Sequence, residues 1–269
     1  MLRQVLLPAD VGAAVSTLAG DPTAVLVAGG TLVMPAVNTT VTPIETLVST
    51  RDLGLAGVAV ERGIARVGAA TTLTALGNHP DLGFLRPTVA SFASPIIRNL
   101  ATVGGNLFAS QPYGDLAVAL LALDATAEIA GPDGPREAPV SEVLEQRVRP
   151  GEIVAAVHFA LPAAGTWRWT KAMRRRLNSA AIVAVAAVVE TDGGVVSAAR
   201  IALGGAGSRP VRARAVEAAL LGKPLDEASV TAAASLALSE AEPFSDAYAS
   251  AWYRGRVLPV HIRRALLGA

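Results

Sequence analysis

The sequence predicts an α+β protein, with a mixed α/β region before residues 160–165 and a β-hairpin sheet followed by helices after them. In the first region, short apolar runs alternate with helical patterns. In the second region, three strand-like runs come together before two helical stretches and a longer terminal helix. The stretch PAAG at 162–165 separates the two regions. With 269 residues, the chain is long enough for one large domain or two to three smaller ones.

Helix, strand and turn signals follow one another in the first region. Apolar residues at Val11, Val15 and Leu18, behind the cap-like Asp10, predict a helix that stops at Gly20. The remaining elements are predicted in the same way. They are a strand over 23–30, a strand within 42–53, a hairpin turned at Glu61-Arg62-Gly63, a helix ending at Gly77, a helix over 87–102 interrupted near Pro95, an apolar core run over 115–125, a strand over 126–131 with a turn at 132–134, and a strand over 151–162.

The second region opens with strands. Three strand-like runs lie within 166–207, and Asp192-Gly193-Gly194 predicts a hairpin turn inside them. Helices are predicted over 211–222 and 225–241, and a longer amphipathic helix over 245–269.

Composition excludes several classes of function. The chain has no cysteine, which excludes disulfides, a cysteine nucleophile and iron–sulfur clusters held by this chain. With 23 basic and 22 acidic residues, it lacks the basic excess of nucleic-acid binders, so no nucleic-acid partner is expected. The N-terminus lacks signal-peptide features and no uninterrupted apolar run is long enough to span a membrane. We therefore expect a cytoplasmic protein without a transmembrane segment.

Two glycine pairs, Gly29-Gly30 and Gly104-Gly105, interrupt apolar sequence. Glycine costs roughly 0.5–1 kcal/mol relative to alanine in a regular element, so each pair indicates a conformation or close contact that a Cβ would block. One interpretation is a tight turn between a strand and a helix. The other is a nest of amide groups for an anion, most often phosphate, in which case the two loops suit the two phosphates of a dinucleotide. The residues alone leave both interpretations open.

Residues for catalysis by side chains are scarce. His79, His158 and His261 have no metal-ligand spacing, and no pair of carboxylates suits acid–base chemistry. The sequence contains no P-loop, and the loop at 203–213 fails the dinucleotide fingerprint because Pro210 replaces its last glycine. No catalytic residue and no metal ligand is predicted, so a bound cofactor would have to supply any redox chemistry.

Two segments carry a family resemblance. Residues 25–35, VLVAGGTLVMP, and 101–125, ATVGGNLFASQPYGDLAVALLALDA, resemble the two FAD-binding loops of the flavoprotein (medium) subunit of molybdenum hydroxylases. This family includes the medium chain of aerobic carbon monoxide dehydrogenase and the FAD domain of xanthine dehydrogenase. The segments 171–189, 201–223 and 245–266 resemble the C-terminal domain of the same family, so the resemblance covers essentially the whole chain.

The resemblance implies a fold and a domain division. Residues 1–162 would form the two-subdomain FAD-binding fold of the vanillyl-alcohol-oxidase (PCMH) type, with subdomains of about 1–55 and 56–162. Residues 163–269 would form the C-terminal flavoprotein domain, a β-sheet with helices.

The resemblance also implies a set of residues for non-covalent FAD binding. Main-chain amides of the first loop would wrap the pyrophosphate, at Ala28, Gly29, Gly30, Thr31, Leu32 and Val33. The second loop would close on it at Thr102, Gly104, Gly105 and Asn106. Asp115 would accept hydrogen bonds from the adenosine end of FAD, and Phe92 would pack against the cofactor. Val154 and Lys171 match further cofactor contacts more loosely.

Some positions depart from the family pattern. Asn178 stands where the family often has aspartate, which puts a charge-dependent role near the flavin in doubt. Gln111 and Tyr113 stand where better-known members have smaller residues, and Tyr113 is a candidate for shaping access to the cofactor.

The family implies an electron-transfer role inside a complex. Electrons would pass from a molybdopterin centre on a large subunit, through [2Fe–2S] clusters on a small subunit, to FAD on this chain and then to a quinone, NAD⁺ or O₂. A dimer of heterotrimers is the expected assembly. Two alternatives stay open, namely a stand-alone flavin oxidase or dehydrogenase with its own substrate, and a cofactor-free scaffold subunit that kept the fold.

Overall fold

The computed structural model describes residues 2–39, 43–175 and 178–268, and it confirms the α+β class. The strands are β1 (Gln4–Leu6), β2 (Ala24–Val27), β3 (Thr46–Ser49), β4 (Val58–Glu61), β5 (Ile64–Gly68), β6 (Thr126–Gly131), β7 (Gly134–Pro139), β8 (Ile153–Ala160), β9 (Trp167–Met173), β10 (Ala181–Asp192), β11 (Val195–Gly204) and β12 (Val211–Arg212). The α-helices are α1 (Val11–Gly20), α2 (Val33–Thr39), α3 (Leu73–Asn78), α4 (Arg86–Ala90), α5 (Pro95–Leu100), α6 (Val103–Leu107), α7 (Asp115–Ala122), α8 (Val140–Gln146), α9 (Arg214–Leu220), α10 (Glu227–Ala234) and α11 (Ala251–Leu267). Two 3-10 helices cover Pro80–Leu85 and Ser235–Ser239.

The chain forms two units, each built from several segments. Unit 1 comprises Met1–Gly83, Ser94–Ala109 and Thr126–Phe159, and unit 2 comprises Phe84–Ala93, Ser110–Ala125 and Ala160–Ala269. The chain therefore passes between the units more than once. The predicted domains over 1–162 and 163–269 are continuous stretches of the sequence, unlike these two units, and they stay a prediction.

Unit 1 contains two sheets. The strands β1, β3 and β2 form a parallel sheet in that order, and the second sheet has the order β4-β5-β8-β6-β7. Helix α1 packs on the first sheet through Ala14 and Val15, which share an apolar cluster with Val48 and Ile153. The start of α1 is fixed by a local signal. The Asp10 carboxylate accepts a hydrogen bond from the Ala13 amide at 2.8 Å and caps the helix, as predicted.

Unit 2 contains one antiparallel sheet in the order β12-β11-β10-β9. Residues 181–189 of β10 are buried throughout, which explains why this strand is a continuous apolar run. Alternate residues such as Val183 and Val185 join the core formed with α9, α10 and α11. The other face of the sheet meets α7, since a Cβ on Gly204 would lie 2.5 Å from Val118 Cγ2.

The structure confirms the predicted hairpin turns and contains several helices and strands that the sequence did not predict. The hairpins turn at Arg62-Gly63 and at Gly193-Gly194, where all four residues have positive φ, as type I′ turns require. The helix predicted over 87–102 is interrupted before Pro95, as predicted, and Pro95 is the first residue of α5. Strand β1 and helices α2, α6 and α8 were not predicted, and Gly104-Gly105 lies inside the short helix α6.

The terminal helix begins later than the sequence predicts. It was expected over 245–269, whereas α11 begins at Ala251 behind the cap Ser250. The Asp246 carboxylate accepts hydrogen bonds from the Tyr248 and Ala249 amides, and this local turn competes with the helix. Residue 269 lies outside the described residues.

The described residues contain neither a membrane-spanning helix nor a metal-binding cluster. None of their helices combines the length and the apolar character needed to cross a membrane. Nor do the ranges 2–39, 43–175 and 178–268 contain a group of three or more His, Cys, Asp or Glu side chains arranged to hold a metal ion.

Candidate cofactor-binding site

The first glycine loop presents a row of unused amide donors in unit 1. It follows β2 and leads into α2, whose first residue is Val33. Within the described part of the chain, no acceptor lies on the amides of residues 28–33, and the next amide, of Met34, donates to the Gly30 carbonyl at 2.9 Å. These residues are half-buried or exposed, so the loop is not enclosed in the core, and its six successive N–H groups have no acceptor among the described residues.

The two glycines of this loop are required for different reasons. A Cβ on Gly29 would lie 1.7 Å from the Leu100 carbonyl oxygen, so Gly29 allows the first loop to touch the backbone that leads into the second loop. Gly30 has φ +70°, a conformation that favours glycine. The structure thus brings the two predicted loops together within unit 1.

The second loop uses its amides internally. Thr102 caps α6, and its Oγ1 accepts from the Gly105 amide at 3.2 Å while its carbonyl accepts from Asn106 at 3.0 Å. The Gly104 amide donates to the Ala69 carbonyl at 2.8 Å, and a Cβ on Gly104 would lie 2.8 Å from Ala69 Cβ. An amide nest for an anion is therefore available only in the first loop. In the second loop the glycine amides are already hydrogen-bonded, and Gly104 allows close packing against Ala69.

We expect Thr102→Ala to lower the free energy of unfolding by about 1 kcal/mol, because it removes the cap of α6. Thr102→Ser keeps a hydroxyl cap and should recover most of that loss. Urea denaturation of the two variants measures the difference. Equal stability of the alanine and serine variants would contradict the capping role.

A second group of predicted residues meets in unit 2 around one ammonium group. Lys171 Nζ donates to Asp115 Oδ2 at 2.7 Å and to the Ser91 carbonyl at 3.0 Å, and it lies 5.9 Å from the centroid of the Phe92 ring. The side chains of Lys171 and Asp115 are 3% and 6% exposed. Strand β9 supplies the lysine and the first residue of α7 is the aspartate, so the pair joins the sheet to α7.

Burial changes the titration of Asp115. Desolvation raises the pKa of Asp115 to about 6, and the charge and hydrogen bond of Lys171 oppose that rise. The carboxylate is therefore ionised at neutral pH and close to its titration range. Nothing in the sequence pairs Lys171 with Asp115, because the two residues are 56 positions apart.

The remaining sequence candidates lie in different settings. Val154 is 5% exposed in β8, opposite Ile129 of β6 in unit 1. Asn178 has φ +53°, which asparagine tolerates better than most residues. Tyr113 is 51% exposed, and its hydroxyl lies 3.1 Å from that of Tyr248, a contact that sequence reasoning missed.

Comparison with known proteins identifies the family. Residues 2–164 match the family described as the FAD binding domain in molybdopterin dehydrogenase, which covers more than half of the chain. The chain belongs to this family. Residues 168–269 also match the CO dehydrogenase flavoprotein C-terminal domain. These matches confirm the predicted family resemblance. They also confirm FAD as the cofactor and the oxidoreductase class.

Relatives in sequence and in structure agree with this assignment. The carbon monoxide dehydrogenase medium chain of Afipia carboxidovorans is 30% identical over 248 residues, covering 89% of this chain and 86% of the relative. A putative xanthine dehydrogenase FAD-binding subunit of Escherichia coli is 31% identical over 273 residues, covering 94% and 91%. The carbon monoxide dehydrogenase of Hydrogenophaga pseudoflava superimposes with a TM-score of 0.94 at 29% identity, covering 100% of this chain and 97% of that one.

The first loop fits the pyrophosphate of FAD. A pyrophosphate carries negative charge over several oxygens, each of which accepts hydrogen bonds, and the loop offers consecutive donors with no internal acceptor. It contains no lysine or arginine, so binding by residues 28–33 would rest on main-chain N–H groups. Ala28 and Gly29 place little or no side chain in front of these donors.

Proposed function

We propose that this chain is the FAD-binding electron-transfer subunit of a molybdenum hydroxylase complex. A large molybdopterin-binding partner would oxidise the substrate, and a small partner with [2Fe–2S] clusters would pass the electrons on. This chain has no cysteine, so the clusters have to be held by another chain. Relatives named as a medium chain and as an FAD-binding subunit support a separate-subunit design. A dimer of heterotrimers and a cytoplasmic location are part of this proposal.

The observation that carries the proposal is the row of free amides at residues 28–33, in a chain matched along its length by the two family domains. Bound FAD would supply the capacity to accept electrons and to pass them to a quinone, NAD⁺ or O₂. The first loop would hold the pyrophosphate. The two matches, 2–164 and 168–269, also support the proposed domains over 1–162 and 163–269.

The other assigned residues have more specific roles in the proposal. Thr102 caps α6 and comes two residues after Leu100, whose backbone carbonyl contacts Gly29. Thr102 and α6 would therefore help to hold the first loop in place. Gly104, Gly105 and Asn106 would line the cofactor by shape, since their amides are already used. In unit 2, Asp115 would accept hydrogen bonds from sugar hydroxyls through the carboxylate oxygen that Lys171 leaves free. The remaining proposed contacts are Phe92 and Val154.

Purification from cells that make the whole complex tests the proposal. The chain, carrying an affinity tag, should bring down a large and a small polypeptide together with FAD, iron and molybdenum in constant ratios. Metal analysis and flavin analysis of the same fractions measure these ratios. A chain that purifies alone with FAD and oxidises an organic substrate by itself would contradict the complex and favour a stand-alone flavin enzyme.

A further inference from the structure

The segment 110–114 connects α6 to α7 and has no regular secondary structure of its own. It ends at Gly114, directly before Asp115, so its conformation decides where α7 begins. Two of its side chains, Gln111 and Tyr113, are the positions at which the sequence departs from the family pattern. Both make contacts within unit 2 to residues far along the chain.

The first contact joins Gln111 to the end of β11. The Gly205 amide donates to Gln111 Oε1 at 2.7 Å. Gly205 has φ +67°, and a Cβ there would lie 2.4 Å from the Ile182 carbonyl oxygen and 2.9 Å from Arg254 Nη1. Only glycine allows this amide to face Gln111 while the guanidinium of Arg254 lies beside it.

The second contact joins Tyr113 to the segment before α11. The hydroxyls of Tyr113 and Tyr248 lie 3.1 Å apart, and their rings meet edge to face with centroids 6.1 Å apart. The hydrogen bond to Tyr248 is the main cause that raises the pKa of Tyr113 to about 12, so the Tyr113 hydroxyl keeps its proton throughout the neutral range. Among the described residues, Tyr248 is the hydrogen-bond partner of the half-exposed Tyr113 side chain, so its loss would leave Tyr113 without that contact.

One buried arginine anchors both contacts. Arg254 is fully buried, and its guanidinium donates to the Gly205 carbonyl and to Asp246 Oδ2, the latter at 2.7 Å. Asp246 Oδ1 in turn accepts from the Tyr248 amide at 2.8 Å. The ring of Phe244 lies 4.4 Å from the guanidinium carbon of Arg254. Arg254 therefore fixes Gly205, which holds Gln111, and also Asp246, which holds Tyr248.

We propose that Tyr248 and Arg254 are positioning residues for the cofactor, because together they fix the segment 110–114 that presents Asp115. The inference rests on the proposed function, in which Asp115 contacts FAD. It assigns to the C-terminal region a share in FAD binding without a direct contact to the cofactor. Arg254 is fully buried in the core, whereas Tyr248 is only half-buried, so its replacement is expected to disturb the core less.

The test compares Tyr248→Phe with Tyr253→Phe in the full chain. Tyr253 is 44% exposed on α11, and its side chain makes no hydrogen bond to any of the described residues, so it is a matched control. We expect Tyr248→Phe to raise the Kd for FAD by roughly three- to tenfold, with an unchanged melting temperature. Tyr253→Phe should leave the Kd unchanged. Hydrogen exchange of residues 108–116, measured without FAD, should become faster only in the Tyr248 variant.

A double-mutant cycle sharpens the result. Tyr113→Phe removes the same hydrogen bond, so the double variant should bind FAD no more weakly than either single variant. An unchanged Kd in Tyr248→Phe would overturn the inference, even if exchange became faster, because the segment would then be irrelevant to FAD. If the unmodified chain fails to bind FAD both alone and in its complex, the proposed function itself fails, and that outcome is seen before any variant is made.

Discussion

Replacing Gly29 with alanine is expected to lower the free energy of unfolding by about 3 kcal/mol or more and to abolish FAD binding. The new Cβ would lie 1.7 Å from the Leu100 carbonyl oxygen and 2.4 Å from its carbon, and both are backbone atoms that no side-chain rotation can move away. The first loop would have to separate from the backbone that leads to α6. Urea denaturation measures the loss of stability, and flavin titration measures the loss of binding.

Gly20→Ala is the matched control for this substitution. Gly20 is the last residue of α1, and a Cβ there would meet no atom within 4 Å. Alanine favours the helix, so this variant should be as stable as the original chain or more stable by up to about 1 kcal/mol. A Gly29→Ala variant that matched it in stability and FAD affinity would show that the contact with Leu100 does not exist in solution.

Replacing Lys171 with methionine is expected to cost about 3–5 kcal/mol, because it leaves the carboxylate of Asp115 buried without its counter-charge. The two side chains are almost fully buried, and their 2.7 Å contact is the main compensation for that burial. The double variant Lys171→Met with Asp115→Leu removes both charges and should recover most of the loss. Urea denaturation of the three proteins at neutral pH measures these differences.

The loss in Lys171→Met should depend on pH in a defined direction. In the original chain the pKa of Asp115 is raised from 3.8 to about 6 by burial, and removing Lys171 removes the interaction that opposes this rise. A raised carboxyl pKa gives stability that is present below pH 3.8 and is lost as pH rises through the folded-state pKa. The variant should therefore be most impaired near pH 8 and less impaired near pH 5. A deficit that stayed constant over this range would contradict an ionised, unpaired Asp115 as its cause.

Local sequence signals predicted much of the fold. The cap at Asp10, the hairpin glycines at 63 and 193–194 and the proline at 95 act on their immediate neighbours, so their effects can be read from a few residues. The missed elements β1, α2, α6 and α8 have three to seven residues each. Such short elements carry too little periodicity to be recognised and depend on the packing around them.

The candidate site was predicted less completely, because its contacts are long-range. The sequence indicated that both glycine pairs were unusual, but the partner of Gly29 is Leu100 and that of Gly104 is Ala69. Only the fold shows that the amides of residues 28–33 have no acceptor among the described residues, whereas those of Gly104, Gly105 and Asn106 do. The pairing of Tyr113 with Tyr248 spans 135 positions, and no local pattern indicates it.

Analysis of the flavin bound to the purified chain tests the central claim most directly. The visible spectrum is recorded before and after addition of FAD, the unbound flavin is removed, and the protein is then denatured. We predict one FAD per chain, released without covalent attachment, and much weaker retention of riboflavin, which lacks the pyrophosphate that residues 28–33 would hold. A protein that stays colourless with FAD, alone and in its complex, would contradict the assignment of this chain as the flavin-binding subunit.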